Sequence, residues 1–426
     1  MKKSLFFLWL LVLAGVVDLP VFAEISIGGS VVGHWDVLKG STVSETDVKT
    51  GFAPNNGGSV NAVRGRLDVT ATDESGVIGG WIQTRAQTDG DLGVLANTWW
   101  KPLDVLKVTA GYLWGGANAI GVALANDDII PVRFYGRSGN YIPWGYEVLS
   151  GAHLEVNAGD LYLVASVPLD NSGNLSYNGW NSPYVARDAT AKEIFQHTMA
   201  RLAYTIPAIG TVRVTFAGGT GKVSGTINDS APTLDTVDAA VIDAGFTLTL
   251  INDITLDLGG EVPLPGKGWD EYTIAAPPVL SQDVEAQVPY ALNLRANVTL
   301  ETFSLAGGVS GKFGGKLTQT TGNTKREYEQ GFILGVTLNP EINLTVASIG
   351  ILGELEFNRE DTEKNNGTTT SYDSKVNFNV VPYIQKTVGG ASLYAGFQIA
   401  SHLVANGTGW KTEYDWSIPA GIAYRF

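Results

Sequence analysis

Period-two alternation over most of the chain, a strand- and turn-forming composition, and a rhythm of short turns and long polar connections predict one fold class. It is all-β, a transmembrane antiparallel up-and-down β-barrel of about 16 to 18 strands. The 426 residues include 52 Gly, 17 Pro, 15 Phe, 16 Tyr and 11 Trp, types that favour strands and turns over helices. Only 16% are charged while 44% are hydrophobic, which argues against a disordered chain and against an ordinary water-exposed surface. The net charge of -14 argues against nucleic acid as a partner, because phosphate binding needs a basic footprint. With no cysteine, disulfide scaffolds, thiolate metal sites and cysteine nucleophiles are excluded, and no cofactor is expected.

The N-terminus sets the expected compartment. Lys2 and Lys3 precede an apolar run over 5–17, and the segment closes with Val21-Phe22-Ala23, so residues 1–23 read as a cleaved secretory signal peptide. The run is too short to span a bilayer comfortably, although a retained anchor is the other reading. Residues 24–426 then form one domain. Later apolar windows, 241–251 and 342–355, are broken by Asp, Asn, Gly or Glu and do not suggest membrane helices.

The strands follow from alternation. Val63, Gly65, Leu67 and Val69 share one face, and Arg64, Arg66, Asp68 and Thr70 the other. In the last segment Tyr414, Trp416, Ile418, Ala420, Ile422, Tyr424 and Phe426 share a face opposite Glu413, Asp415, Ser417 and Arg425. A soluble sandwich also alternates, so the connections must decide between core and lipid as the apolar side. Tight links are expected at 72–75, 102–103, 158–159, 207–210, 252–253, 301, 339–340 and 387–388. Between them run long polar connections, over 38–57, 115–149, 170–193, 220–236, 263–287, 314–327, 359–372 and 404–411. The exception is a short link near 89–92. An even strand number places both termini on the short-turn side; without the hairpin at Asp89 the count falls to about 16.

Trp99-Trp100, Tyr112 with Trp114, Tyr204, and Tyr414 with Trp416 fall near strand ends, where amphipathic rings prefer the headgroup boundary. Packing in a soluble core is the other reading of any single ring. The ending is more specific, with Ile422, Tyr424 and Phe426 at alternate positions and the carboxylate on Phe426. With the signal peptide and the alternating strands, this ending resembles the bacterial outer-membrane porin family, in its general-diffusion or substrate-preferring forms. The resemblance implies a bacterial outer-membrane location, a wall surrounded by outer-membrane lipid, a homotrimer, and Tyr424 and Phe426 as the tag met by the barrel-assembly machinery. It also implies a water-filled channel for passive diffusion of small hydrophilic solutes and ions, and no enzyme activity. In general porins the third external loop resembles the longest one here, about 115–149, and folds into the lumen as a constriction. Carried over, Asp127 and Asp128 are its acidic residues. The loop departs from that pattern in carrying Arg133 and Arg137 and in lacking a Pro-Glu-Phe-Gly-Gly-type turn. Its rings Phe134, Tyr135, Tyr141, Trp144 and Tyr146 either stack sugars, as in sugar-specific porins, or pack the loop on itself.

Parity supplies the wall candidates. Arg64 and Arg66, Arg85 beside Gln83 and Gln87, and Lys107 beside Thr109 all fall opposite the apolar face, hence toward the lumen. Charges facing lipid near midplane are costly, so the inward assignment follows if the barrel is real. Opposed rows of cations and anions order water and favour small polar solutes; pairing with Asp68 to stiffen the wall is the other role for these arginines. The four histidines, His34, His153, His197 and His402, are scattered, though His34 and Asp36 share a lumen face, and no His-Glu-x-x-His or nucleophile elbow occurs. The run 218–222 fails as a phosphate loop, because Phe216 and Val223 hold the positions that need Gly and Ser or Thr. Acidic runs at Asp270-Glu271 and Glu360-Asp361 lack calcium-loop spacing. The competing functional reading is a surface adhesin or structural barrel that binds ligands through its external loops. A secreted lectin-like sandwich is a third, and it leaves Phe426 unexplained.

Overall fold

The computed structural model describes residues 24–41, 49–51, 63–87, 92–112, 150–168, 198–217, 240–249, 251–264, 282–287, 290–313, 316–321, 324–329, 331–359, 362–365, 368–371, 374–406 and 409–426. Among them, eighteen antiparallel strands pair each with the next, and the last pairs with the first. In chain order they are β1 (Glu24–Ser41), β2 (Val63–Thr72), β3 (Ile78–Gln87), β4 (Leu92–Leu103), β5 (Leu106–Tyr112), β6 (Ser150–Ala158), β7 (Leu161–Pro168), β8 (Met199–Ile206) and β9 (Gly210–Ala217). The second half comprises β10 (Ala240–Leu248), β11 (Ile254–Leu264), β12 (Tyr290–Thr299), β13 (Phe303–Phe313), β14 (Phe332–Asn343), β15 (Ser348–Arg359), β16 (Ser374–Val388), β17 (Ala391–Gly396 continued by Gln398–Asn406) and β18 (Gly409–Arg425). The hairpin around Asp89 is real, since β3 pairs with β4 from Ile78↔Trp100 to Ala86↔Leu92.

Closure is staggered. β1 pairs with β2 from Glu24↔Thr72 to Gly33↔Val63, and with β18 from Ser30↔Arg425 to Ser41↔Asp415. The chain end completes the seam, with Gly29 N donating to Phe426 O at 2.9 Å and Phe426 N donating to Gly29 O at 3.1 Å. A sheet closed in this way has no free edge, as a wall crossing hydrocarbon requires.

The two faces differ as alternation predicts. On β14, Leu334, Val336 and Leu338 are exposed outward while Gly335, Thr337 and Asn339 are buried inward. The same exposed apolar face continues through Leu202 and Tyr204, Val212, Val214 and Phe216, Leu292 and Leu294, and Ile349 and Ile351. Apolar side chains outside and polar ones inside reverse the arrangement of a soluble domain, so lipid is the outer solvent. Trp100, Tyr204 and Tyr414 are exposed on that face, as expected of boundary rings, whereas Trp99 turns inward over Gly79.

Turn chemistry accounts for several displaced boundaries. The tight link expected at 387–388 falls instead at Gly389-Gly390, whose φ values of 55° and 84° suit a two-residue hairpin turn. The one expected at 102–103 lies at 104–105. Pro340 does not turn the chain: β14 runs through it, the ladder to β15 skips from Leu338↔Gly353 to Glu341↔Gly350 where proline has no N–H to give, and the turn comes at 344–347. Nor is 404–411 a long loop, because β17 and β18 pair down to Asn406↔Gly409.

Three connections expected as irregular loops contain strands. Gln282–Gln287, Lys316–Thr321, Thr324–Glu329, Thr362–Asn365 and Thr368–Ser371 form a second, five-stranded antiparallel sheet on the long-connection side. A short strand, Lys49–Gly51, pairs back on β1. Residues 1–23 and the whole of the 115–149 connection lie outside the described residues.

Candidate functional site

The inner wall is the candidate site, and parity with cross-strand register assigns its rows. Along β2 and β3, Arg66 Nε donates to Asp68 Oδ2 at 2.6 Å. Asp68 Oδ1 also accepts from Gln83 Nε2 at 2.6 Å and Trp81 Nε1 at 3.2 Å. Next along the wall, Lys107 Nζ lies 3.0 Å from Glu155 Oε1 and 5.7 Å from the centre of the Trp99 ring. Arg66 and Lys107 are each held by a neighbouring carboxylate of the same parity. Arg64 and Arg85 occupy register positions of the same parity, opposite Gln87 and Arg66 respectively. Asp127 and Asp128 lie outside the described residues.

Farther round, His153 Nδ1 lies 2.8 Å from Ser166 Oγ, and His153 Nε2 lies 3.3 Å from Gly111 O. With Nε2–H given to that carbonyl, the serine hydroxyl donates to Nδ1. His153 is 1% and Ser166 0% exposed, so this serine–histidine contact, which spacing did not reveal, ties strands together without offering a nucleophile to substrate.

On β9 to β12 one inner row reads Arg213, Gly245, Gly259, Asn293 by register. Arg213 lies flat over Gly245, in the space a β-carbon would take, and Asn293 leans over Gly259, where a β-carbon would stand 2.6 Å from Asn293 Oδ1. Arg213 Nη1 donates to Thr247 Oγ1 at 3.4 Å, and Thr247 Oγ1 donates to Asp257 Oδ1 at 2.6 Å. Arg295 Nε donates to Asn297 Oδ1 at 3.3 Å in the adjoining rows. These residues were missed at the sequence level, although two glycines at inward parity on neighbouring strands are a usable signal for large side chains laid across them.

On β14 to β18 neutral donors reach the carboxylates of Glu341, Glu354 and Glu356. Ser417 Oγ donates to Gln398 Oε1 at 3.0 Å, Gln398 Nε2 to Asn379 Oδ1 at 3.1 Å, and Asn379 Nδ2 to Glu354 Oε2 at 2.9 Å. Beside this chain, Asn377 Nδ2 donates to Glu356 Oε1 at 3.4 Å. Tyr383 Oη lies 2.8 Å from Glu341 Oε2, to which it donates, and 3.2 Å from Asn339 Oδ1. Tyr383 and Tyr394 are seated over Gly350 and Gly421 and form a buried cluster with Val381.

At the seam, the rings of Tyr424 and Phe426 stack with centroids 6.0 Å apart. Both residues expected to act as the assembly signal are exposed on the outer face.

Together these registers define a membrane-spanning up-and-down β-barrel with a polar, hydrogen-bonded interior. Comparison with solved structures finds other barrels. OpdK, an outer membrane protein from Pseudomonas aeruginosa, is 9% identical with a TM-score of 0.47, covering 95% of this chain and 99% of that one. The trimer form of OmpT, an outer membrane protein of Vibrio cholerae, is 11% identical with a TM-score of 0.40, covering 95% and 99%. An anion-selective porin from Comamonas acidovorans is 9% identical with a TM-score of 0.38, covering 95% and 100%. No protein-family model and no curated protein matches the chain. The fold assignment rests on the strand pairing itself.

Proposed function

We propose that the chain is an outer-membrane porin, a water-filled channel for passive diffusion of small hydrophilic solutes and ions. The observation that carries this reading is the closed wall of eighteen strands with an apolar outer face and a polar inner one. At about 16 to 18 strands a barrel is too wide for its own wall side chains to fill. Export by a cleaved signal over 1–23, assembly through Tyr424 and Phe426, and a homotrimer in outer-membrane lipid belong to the same proposal. So does a constriction in which Arg64, Arg66, Arg85 and Lys107 face Asp127 and Asp128.

Single-channel recording of the refolded protein in planar bilayers tests it. The expected result is steady ohmic conductance, with reversal potential moved in opposite directions by Arg64→Ala/Arg66→Ala and by Asp127→Ala/Asp128→Ala. A barrel that inserts but carries no current overturns the porin reading. It would favour the second reading, a surface adhesin or structural barrel, which draws on the five-stranded sheet formed by the long connections.

A further inference from the structure

The arc of wall from β9 to β12 holds polar groups whose hydrogen-bonding capacity is left over, and their arrangement points to a ligand. Arg213 is 7% and Asn293 3% exposed. Among the described residues, Arg213 Nη2 and Asn293 Oδ1 are buried without a hydrogen-bond partner. Both converge on Gly259, with the position of an added β-carbon there lying 3.4 Å from Nη2 and 2.6 Å from Oδ1. One is a donor only and the other an acceptor only, and the two do not bond each other. Buried groups of this kind are nearly always satisfied in a native protein, by water or by something bound.

The partner must accept from a guanidinium and donate to an amide oxygen at the same place. A hydroxyl group does both. A carboxylate satisfies Arg213 but has nothing to give Asn293 Oδ1, and it meets the carboxylates of Asp243 and Asp257 on the two strands between. An ammonium group satisfies Asn293 but stands against Arg213 and, beyond it, Arg201. The adjoining row, Thr247, Asp257 and Arg295, is only half-buried and shares the inward parity, so it borders the two buried groups on the lumen side. Gly245 and Gly259 are what make the trough, since a side chain at either would displace Arg213 or Asn293.

We infer that Arg213, Asn293 and Gly259 form a lumen subsite for a neutral polyhydroxylated solute, a small sugar or polyol. The inference rests on the porin reading only in taking the site to be met by solutes in transit.

The test uses the refolded full chain in detergent, with sorbitol, glucose and gluconate as probes in calorimetric titrations. Sorbitol and glucose should bind saturably. Asn293→Ala and Gly259→Ala should each weaken them by about fivefold, and Arg213→Gln by about tenfold or more, as expected for loss of a neutral and a charge-assisted hydrogen bond. Asn377→Ala, on the opposite arc, should leave the affinity unchanged. Circular dichroism and heat-dependent gel mobility check that each variant has folded, and the glycine change, which shifts Asn293 without removing either polar side chain, keeps the test decisive if an arginine or asparagine variant fails to fold. Absence of saturable sorbitol and glucose binding overturns the inference and leaves ordered water as the partner. Tighter binding of gluconate, insensitive to Asn293→Ala, overturns it in favour of an anion site. Conductance of the wild-type protein in potassium chloride is read separately. Current without polyol binding retains the porin and removes the subsite, and binding without current does the reverse.

Discussion

The inner wall over β14 to β18 and the wall over β8 to β12 use similar residues, yet they close their hydrogen bonds differently. In the first, hydroxyl and amide donors run in one direction, Ser417 to Gln398 to Asn379 to Glu354, and end on a carboxylate. In the second, Arg213 Nη2, Thr215 Oγ1 and Asn293 Oδ1 are buried without partners among the described residues. A chain of neutral donors holds the Glu354 carboxylate in place and gives this arc a continuous run of cross-strand hydrogen bonds. The other arc keeps polar capacity in reserve.

The sharpest way to break that contrast is Asn379→Leu, which strands a donor on Gln398 and an acceptor on Glu354 at once. We expect a loss of about 3 kcal/mol, read as a lowered urea midpoint for the barrel in lipid vesicles. Gly421→Ala removes the seat of Tyr394 beside the seam, and overpacking there should lower the same midpoint by about 2 kcal/mol. On the other arc the sign should reverse. Thr215 is 0% exposed and its hydroxyl has no partner among the described residues, so Thr215→Val should stabilise by up to about 1 kcal/mol. If it destabilises instead, the two arcs are equally satisfied and the contrast fails.

Smaller effects sharpen the picture. Lys107→Met removes a partly exposed pair with Glu155, and we expect a change of about 1 kcal/mol or less that shrinks as salt is added. The smallest effect lies in the turn after β2, outside the membrane-spanning wall. There the Ser75 hydroxyl and the Ile78 amide bond the Asp73 carboxylate and hold its pKa below the usual carboxylate range. A depressed folded pKa contributes stability above the ordinary carboxylate value and loses it as pH falls through the folded one. The advantage of wild type over Asp73→Ala should therefore be present at neutral pH and vanish on acidification, in midpoints measured across that range.

Much of the fold was legible because alternation has only two phases. Arg66 and Asp68 sit two residues apart on one strand, so parity alone put them on one face, and their ion pair follows. Pro340 misled because proline usually marks a turn, yet at a gap in the ladder it costs β14 no hydrogen bond. The five-stranded sheet was missed since its strands are four to six residues long, polar on both faces, and drawn from three connections between 282 and 371. Patterning carries no signal when neither face is apolar.

The serine–histidine link and the chain ending at Glu354 were illegible for a different reason. Their members lie on different strands, and which residue meets which depends on register, set by turn lengths and by the staggered seam at Gly29 and Phe426. By itself the sequence determined the side of the wall each residue takes, because lipid and water leave a strand no third choice. Only the tertiary structure decided that Arg213 and Asn293, eighty residues apart, reach across two glycines toward one point, because that meeting is a property of three registers and not of any one strand.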